Sequence, residues 1–131
     1  MKDRIIIAKI QEYVRRINRI YDLIKDLNEQ EILALDDSFA LTQFLINIDH
    51  LFSRISSDDI ASKQIEMGIR SLNTCRNISA HDYDSLDWNR VKLLCKKLIS
   101  EKTDMLLKEC YLMAQSDELK MKDYASINST L

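Results

Sequence analysis

Apolar residues recur every three or four positions along most of the chain, a pattern typical of amphipathic helices. The first run predicts a long helix that packs lengthwise on its neighbours, and its apolar positions are Ile6, Ile10, Tyr13, Ile17, Ile20, Ile24 and Leu27. Asn28 followed by Glu31 has the spacing of a capping box and predicts a short helical turn through Leu35.

Residue types that cap helices mark the start of two further helices. Asp36, Asp37 and Ser38 precede a second long helix, with apolar positions at Leu41, Phe44, Leu45, Ile48, Leu51, Phe52 and Ile55. Ser56 with Asp59 forms another capping box. The third helix that it opens uses Ile60, Ile65, Ile69, Leu72 and Cys75.

The third helix is expected to fade near Ser79, where the chain becomes polar and rich in turn formers. A fourth helix is predicted from about Asp87, with inward positions at Val91, Leu94, Leu98, Met105 and Leu112. From Gln115 onward the apolar pattern dissolves.

These elements predict an all-α fold, an up-and-down four-helix bundle with a short extra helical turn. A chain of 131 residues has room for one core. We therefore expect one domain over residues 1–114 and a polar, loosely ordered C-terminal tail over residues 115–131. One glycine and no proline leave little material for phosphate-cradling loops.

Composition also predicts a location. No run of 18 apolar residues is present, so we expect no membrane span, and the first residues show no secretory signal. Cys75, Cys95 and Cys110 are odd in number and widely spaced, which is typical of reduced core cysteines. We therefore expect a cytoplasmic protein.

Most chemistry is excluded by what the chain lacks. No cysteine or histidine cluster has metal-ligand spacing, so we expect neither a metal nor a cofactor. The pairs Asp36–Asp37 and Asp58–Asp59 sit where helix caps belong. His50 lies on an apolar helix and is interpreted as a packed or boundary residue.

The segment from Arg76 to Tyr83 retains the groups that metal-free RNA cleavage requires. Arg76 carries a permanent charge and a planar fork that fits a phosphate. His81 titrates near neutrality and suits proton transfer to or from ribose oxygens. Asn77 and Ser79 are candidates for hydrogen bonds to the phosphate or to the imidazole. A helix C-terminus followed by a satisfied turn would explain the same residues without catalysis.

Charge is compatible with either interpretation. The net charge is −2, but residues 70–102 carry seven Lys or Arg against four Asp or Glu. This modest basic patch suits transient contact with a phosphate backbone or, equally, a solvated helix face.

Helix geometry constrains how Arg76 and His81 cooperate. Residues five apart on an ideal helix are separated by about 140° around the axis and about 7.5 Å along it. The two side chains therefore meet at one phosphate only if the helix unwinds or if two chains contribute to one cleft. If the chain is extended after His81, Tyr83 points to the same side.

The combination of Arg76, Asn77, His81 and Tyr83 in a helical chain of this size resembles the HEPN superfamily, and more narrowly its HepT-type toxins. The resemblance covers roughly residues 1 to 110. It departs from the family in lacking a glycine shortly before Arg76 and a Gly-Glu-Ala type segment in the second helix.

The resemblance implies a homodimer with a metal-independent ribonuclease site at its interface. Arg76 would then stabilise the scissile phosphate, His81 would transfer protons and Asn77 would support them. Tyr83 would accept AMP from an MntA-like nucleotidyltransferase, the antitoxin partner. Two alternatives remain open: a non-catalytic HEPN subunit that binds a nucleotidyltransferase, and a helical dimerisation scaffold without a site.

Overall fold

The computed structural model describes residues 1–69 and 86–129, with side chains through residue 123. Every regular element within these ranges is a helix. In chain order they are α1 (Asp3–Ile24), α2 (Glu29–Leu33), α3 (Asp36–Ser53), α4 (Asp58–Glu66), α5 (Trp88–Leu98) and α6 (Glu101–Ser129). The all-α prediction is confirmed for this part of the chain.

Helix α1 lies at the centre of the packing and contacts α3, α5 and α6. Its predicted apolar face is confirmed: the isoleucines are buried, and Tyr13 and Leu27 pack against them half-buried. The face of α3 is confirmed in the same way, with Leu41, Leu45 and Ile48 fully buried. Two long helices therefore bury their apolar faces against each other, as a helical bundle requires.

Helices α1 and α3 run antiparallel, and one side chain joins them at the end of the pair. The Asp3 carboxylate at the start of α1 accepts hydrogen bonds from Ser56 N, Ser56 Oγ and Ser57 N, at 2.9, 3.0 and 3.0 Å. These donors follow the end of α3, so the contact also fixes the entry into α4.

The helix caps agree with the sequence in part. Asn28 and Glu31 form the predicted capping box. Helix α4 is capped by Ser57, which accepts from Ile60 N at 3.3 Å, and the prediction of Ser56 is wrong by one residue because Ser56 binds Asp3 instead.

The paired aspartates lie inside the first turns of their helices. The prediction that Asp36, Asp37 or Ser38 caps α3 is wrong, because the helix already begins at Asp36 and its N-cap is Leu35, which makes no side-chain cap bond. Asp58 and Asp59 likewise follow the N-cap of their helix, Ser57. Their negative charge there stabilises the positive end of the helix dipole.

Helix α4 is shorter than predicted. It ends at Glu66, whereas the sequence predicts continuation to about Ser79. Gly68 follows with a φ of +69°, a left-handed conformation that terminates helices. Ile65 is exposed, contrary to prediction, because it lies about 140° around the helix from the buried Ile60; Ile60 and Ile69 are buried as predicted. Leu72 and Cys75 lie outside the described residues.

Replacing Gly68 by alanine is expected to destabilise the protein by about 1–2 kcal/mol, because a Cβ is disfavoured in the left-handed conformation. An alanine Cβ at this position would meet no atom within 4 Å, so the loss isolates the backbone effect. Urea unfolding measures it. Gly68→Asn is the matched control with a smaller expected loss, since asparagine tolerates this conformation. Equal losses in both variants would contradict the explanation.

The predicted fourth helix is divided into α5 and α6. Ser100 interrupts it and caps α6, because its Oγ accepts from Thr103 N at 3.3 Å. The Ser100 and Thr103 hydroxyls each donate to Lys97 O at 2.7 Å, which satisfies a carbonyl at the end of α5.

The division changes which residues of α6 are inside. Val91, Leu94 and Leu98 of α5 are buried as predicted, but Met105 and Leu112 of α6 are exposed, so that part of the prediction is wrong. The buried positions of α6 are Thr103, Leu107, Cys110 and Ala114.

The segment after Gln115 also differs from the prediction of loose order, because α6 continues to Ser129. Ala114 is buried, and Glu118 binds Arg4 at the start of α1. These contacts hold α6 antiparallel to α1. Among the described helices, none is long and apolar enough to cross a membrane.

Candidate functional site

The predicted site residues Arg76, Asn77, Ser79, His81 and Tyr83 lie outside the described residues. The structure does describe both ends of the segment that carries them. Ile69, the last described residue before the segment, is fully buried, and Trp88, the first residue of α5 after it, is buried as well. The segment is therefore tied at both ends to the same hydrophobic core.

Polar contacts fix these two ends. The Lys97 ammonium of α5 donates to Gly68 O at 3.3 Å, which joins α5 to the turn after α4. Asp87 caps α5 and accepts from Asn89 N and Arg90 N at 3.1 and 3.4 Å. Helix α5 therefore begins a few residues after the candidate segment, and the Asp87 side chain binds backbone N–H groups of its first turn.

Helix α5 is the most consistently basic element that adjoins the segment. Its eleven residues include Arg90, Lys92, Lys96 and Lys97, and none is Asp or Glu. Lys92 is held by Leu27 O at 2.6 Å, and the Arg90 guanidinium lies 3.7 Å from the Asp87 carboxylate, an exposed and therefore weak pair. A helix of this composition suits contact with a polyanion.

Trp88 contributes one unusual polar atom to this region. Its indole is buried, and among the described residues nothing accepts a hydrogen bond from Nε1. A buried N–H without an acceptor is destabilising. The sequence pattern did not predict that Trp88 is buried, since Trp88 was not among the predicted inward residues.

His50, the second histidine of the chain, is exposed on α3. The interpretation of His50 as a packed or boundary residue is therefore wrong. The apolar residues around it in sequence suggested burial, but it lies on the face of α3 turned away from Leu45 and Ile48.

The described thiols behave as core residues. Cys95 and Cys110 are both buried, as predicted, and Cys75 lies outside the described residues. Burial raises the pKa of the Cys110 thiol to about 11, with Glu109 adding to the shift. A thiol that stays protonated at neutral pH is a poor nucleophile and metal ligand. Within the described ranges, no group of three His, Cys, Asp or Glu residues is placed to hold a metal.

An open groove of about 1050 Å³ lies where the start of α1 meets the second half of α6. Of the four cations that line it, Lys2 and Arg4 both pair with Glu118, whereas Lys120 and Lys122 form no ion pair within the described residues. Hydrogen bonds to Tyr111 and Glu118 raise the pKa of Arg4, and the bond from Arg4 lowers the pKa of Glu118. None of the residues that line the groove is a histidine or a cysteine, so the candidate segment remains the chemically richer region.

An aromatic cluster that the sequence did not predict lies between α1 and α3. The rings of Tyr13 and Phe44 are 5.5 Å apart, and the Arg16 guanidinium lies 5.9 and 5.8 Å from their centroids. Asn47 Nδ2 donates to the Tyr13 hydroxyl at 3.4 Å. These contacts, typical of cation–π packing, stabilise the α1–α3 pair.

No protein-family model, no curated protein and no solved structure matches this chain.

Proposed function

We propose that the protein is a metal-independent ribonuclease toxin of a toxin–antitoxin pair, with a composite Arg76–His81 site formed between two chains. The observation that carries the proposal is the complete set of Arg76, His81 and Tyr83 in one short segment of a helical chain. The resemblance of this set to HepT-type HEPN toxins supplies the reaction class.

The described frame supports the proposal in two respects. Ile69 and Trp88, the nearest buried residues before and after the segment in the chain, both belong to the hydrophobic core. Three exposed cations of α5 follow the segment in the chain and would attract an RNA backbone, namely Arg90, Lys96 and Lys97, whereas Lys92 is engaged by Leu27 O.

The proposed reaction uses only groups of the protein. One His81 imidazole takes the proton of a ribose 2′-hydroxyl, and the 2′-oxygen attacks the adjacent phosphorus. The bond to the 5′-oxygen breaks as a second, protonated His81 donates a proton to it. The products are a 2′,3′-cyclic phosphate and a free 5′-hydroxyl, while Arg76 stabilises the negative charge that accumulates on the phosphate.

A site shared by two chains would allow Arg76 and His81 to meet at one phosphate, which residues five apart on one ideal helix cannot do. A two-fold axis would bring Arg76 of one chain towards His81 of the other, and it would supply one imidazole as base and one as acid.

Purified protein incubated with single-stranded RNA in EDTA tests the proposed activity. We expect cleavage that EDTA leaves unchanged, with cyclic phosphate at the new 3′ ends. Intact RNA under these conditions, at protein concentrations where the chain is dimeric, would contradict the proposal.

Replacement of Tyr83 by phenylalanine is expected to abolish neutralisation by the proposed nucleotidyltransferase while cleavage continues. AMP on Tyr83 would place a bulky anion beside Arg76 and His81, where the substrate phosphate binds. With the partner enzyme and ATP, we expect a mass gain of one or more AMP groups on the wild type and none on the variant. Modification of the Tyr83→Phe protein would refute the assignment; Tyr21→Phe, a tyrosine of α1, is the control.

The net charge of −2 and the missing upstream glycine favour one alternative, a non-catalytic subunit that binds a nucleotidyltransferase. Such a protein would form a stable complex with the enzyme and leave RNA intact.

A further inference from the structure

The outer face of α6 carries a row of apolar side chains. Met105, Leu112 and Leu119 follow one another at intervals of seven residues, and each is more than half exposed. Seven residues are within about 20° of two full helical turns, so the three lie in one line. The line is on the side of α6 opposite to the residues that enter the core, Thr103, Leu107, Cys110 and Ala114.

Such a row differs from the scattered exposed leucines of an ordinary surface. The inner side of α6 packs on α1 and α4, while the row itself stays exposed in the described part of the chain. Paired helices bury apolar residues at two positions of each seven, and this row supplies one of the two. The row is therefore expected to be covered by another helix.

Charged and polar residues border the row on both sides. With about 100° between successive residues, one border consists of Glu101, Lys108, Gln115 and Lys122, and the other of Lys102, Glu109, Ser116 and Asp123. All eight are exposed. Each border therefore begins and ends with opposite charges.

We propose that α6 pairs with α6 of a second copy of this chain, antiparallel, with Leu112 next to the two-fold axis. Met105 then lies against the partner's Leu119, and Leu112 against its own equivalent.

The charges of the borders complement one another in this arrangement, because an antiparallel two-fold pair brings each border onto the same border of its partner. Glu101 meets the partner's Lys122, and Lys102 meets the partner's Asp123. At the centre, Lys108 is paired with Asp104 at 2.8 Å and Glu109 with Lys63 at 3.4 Å within the same chain, and the two face the partner's uncharged Gln115 and Ser116. Every charged position thus faces an opposite charge or a hydrogen-bonding side chain.

Opposed helix dipoles favour the antiparallel direction. A parallel pair would also bring opposite charges together, since Glu101 would face the partner's Lys102. The charges therefore identify a second copy as the occupant, and the dipoles set its direction.

The contact is small. Residues 101–123 form a helix of about 34 Å. One helix pair of this length is expected to bury less area than the roughly 1,200 Å² of a standard interface, so association should be reversible and concentration-dependent. The contact involves no residue of the candidate site, and it does not rest on the proposed ribonuclease activity.

Sedimentation of the full chain across a range of concentrations tests the contact. Leu112→Lys places a cation on the axis next to its equivalent, and we expect the dissociation constant to rise at least about tenfold. The mass then falls by one pairing step: from two copies to one, or from four to two where the ribonuclease site itself joins two chains. Leu93→Lys on α5 is the matched control, since Leu93 and Leu112 are 62% and 64% exposed, and we expect it to associate like the wild type.

Charge exchange then tests the direction. Lys102→Glu is expected to weaken association, and adding Asp123→Lys is expected to restore it, because the exchanged pair again has opposite signs. In a parallel pair the introduced charges would face the partner's Glu101 and Lys122, and the double variant would associate more weakly than either single variant. A chain that never associates, a dissociation constant unchanged by Leu112→Lys, or a weaker double variant would overturn the proposal.

Discussion

Replacing His81 by alanine is expected to lower the rate of RNA cleavage by about 10²–10⁴-fold, the usual loss when a general acid–base group is removed. Arg76→Ala is expected to cost about 10²–10³-fold, because it removes a donor that stabilises charge in the transition state. Cleavage of a labelled single-stranded RNA in EDTA measures both rates.

His50→Ala is the matched control for these variants. His50 is the other histidine of the chain and is exposed on α3, so its removal is expected to change neither folding nor cleavage. Cleavage that persists in the His81 and Arg76 variants would refute the assignment of the site, even if the protein proves to be a nuclease.

A mixture of the two inactive variants tests whether the site is shared between chains. A mixed dimer carries one intact Arg76 on one chain and one intact His81 on the other. If these face each other across the two-fold axis, cleavage on mixing exceeds that of either variant alone, but it stays below the wild type because one of the two imidazoles that act as base and acid is missing. A site contained within one chain would stay inactive, because each chain lacks one of the two groups.

Replacing Ile10 by alanine is expected to lower the free energy of unfolding by about 2–5 kcal/mol, because the substitution leaves a cavity between α1 and its neighbours. Ile10 is fully buried in the main core, at the middle of α1. Against a total stability of about 5–15 kcal/mol, the loss is large. Urea unfolding followed by circular dichroism at 222 nm measures it.

Ile5→Ala on the same helix is the control for Ile10. The side chain of Ile5 is 39% exposed, so the same chemical change is expected to cost much less. Similar losses at both positions would mean that helix propensity, rather than core packing, dominates the stability of α1.

Hydrophobic periodicity predicted α1 and α3 well because both helices bury one continuous face. Ile6, Ile17 and Ile24 occupy the inner side of α1 as the spacing requires. The Asn28 capping box was equally predictable, since it depends on residues only three positions apart.

Periodicity failed where local hydrogen bonds interrupt a helix without changing the apolar spacing. Leu98, Met105 and Leu112 are spaced as one face of a single helix, but Leu98 is buried and the other two are exposed. The preference of Ser56 for the Asp3 carboxylate could not be predicted either, because the two residues are distant in sequence and meet only in the folded chain.

The candidate site was predicted from residue types, and its residues lie outside the described ranges. What the structure adds is the frame around it: the buried Trp88, the link from Lys97 to Gly68, and the cations of α5. None of these could be read from the Arg76–Tyr83 motif, because they depend on how α4 and α5 are packed.

The Ser100 and Thr103 hydroxyls, which donate to Lys97 O, also determine which side of α6 is exposed to solvent. Without the interruption at Ser100, the periodicity of α5 would carry Met105 and Leu112 inward behind Leu98. The interruption rotates the residues of α6 about the helix axis relative to the buried face of α5. Two small polar side chains thereby place Met105 and Leu112 on the outer side of α6, and a chain that lost both hydroxyls is expected to bury these residues although its apolar spacing is unchanged.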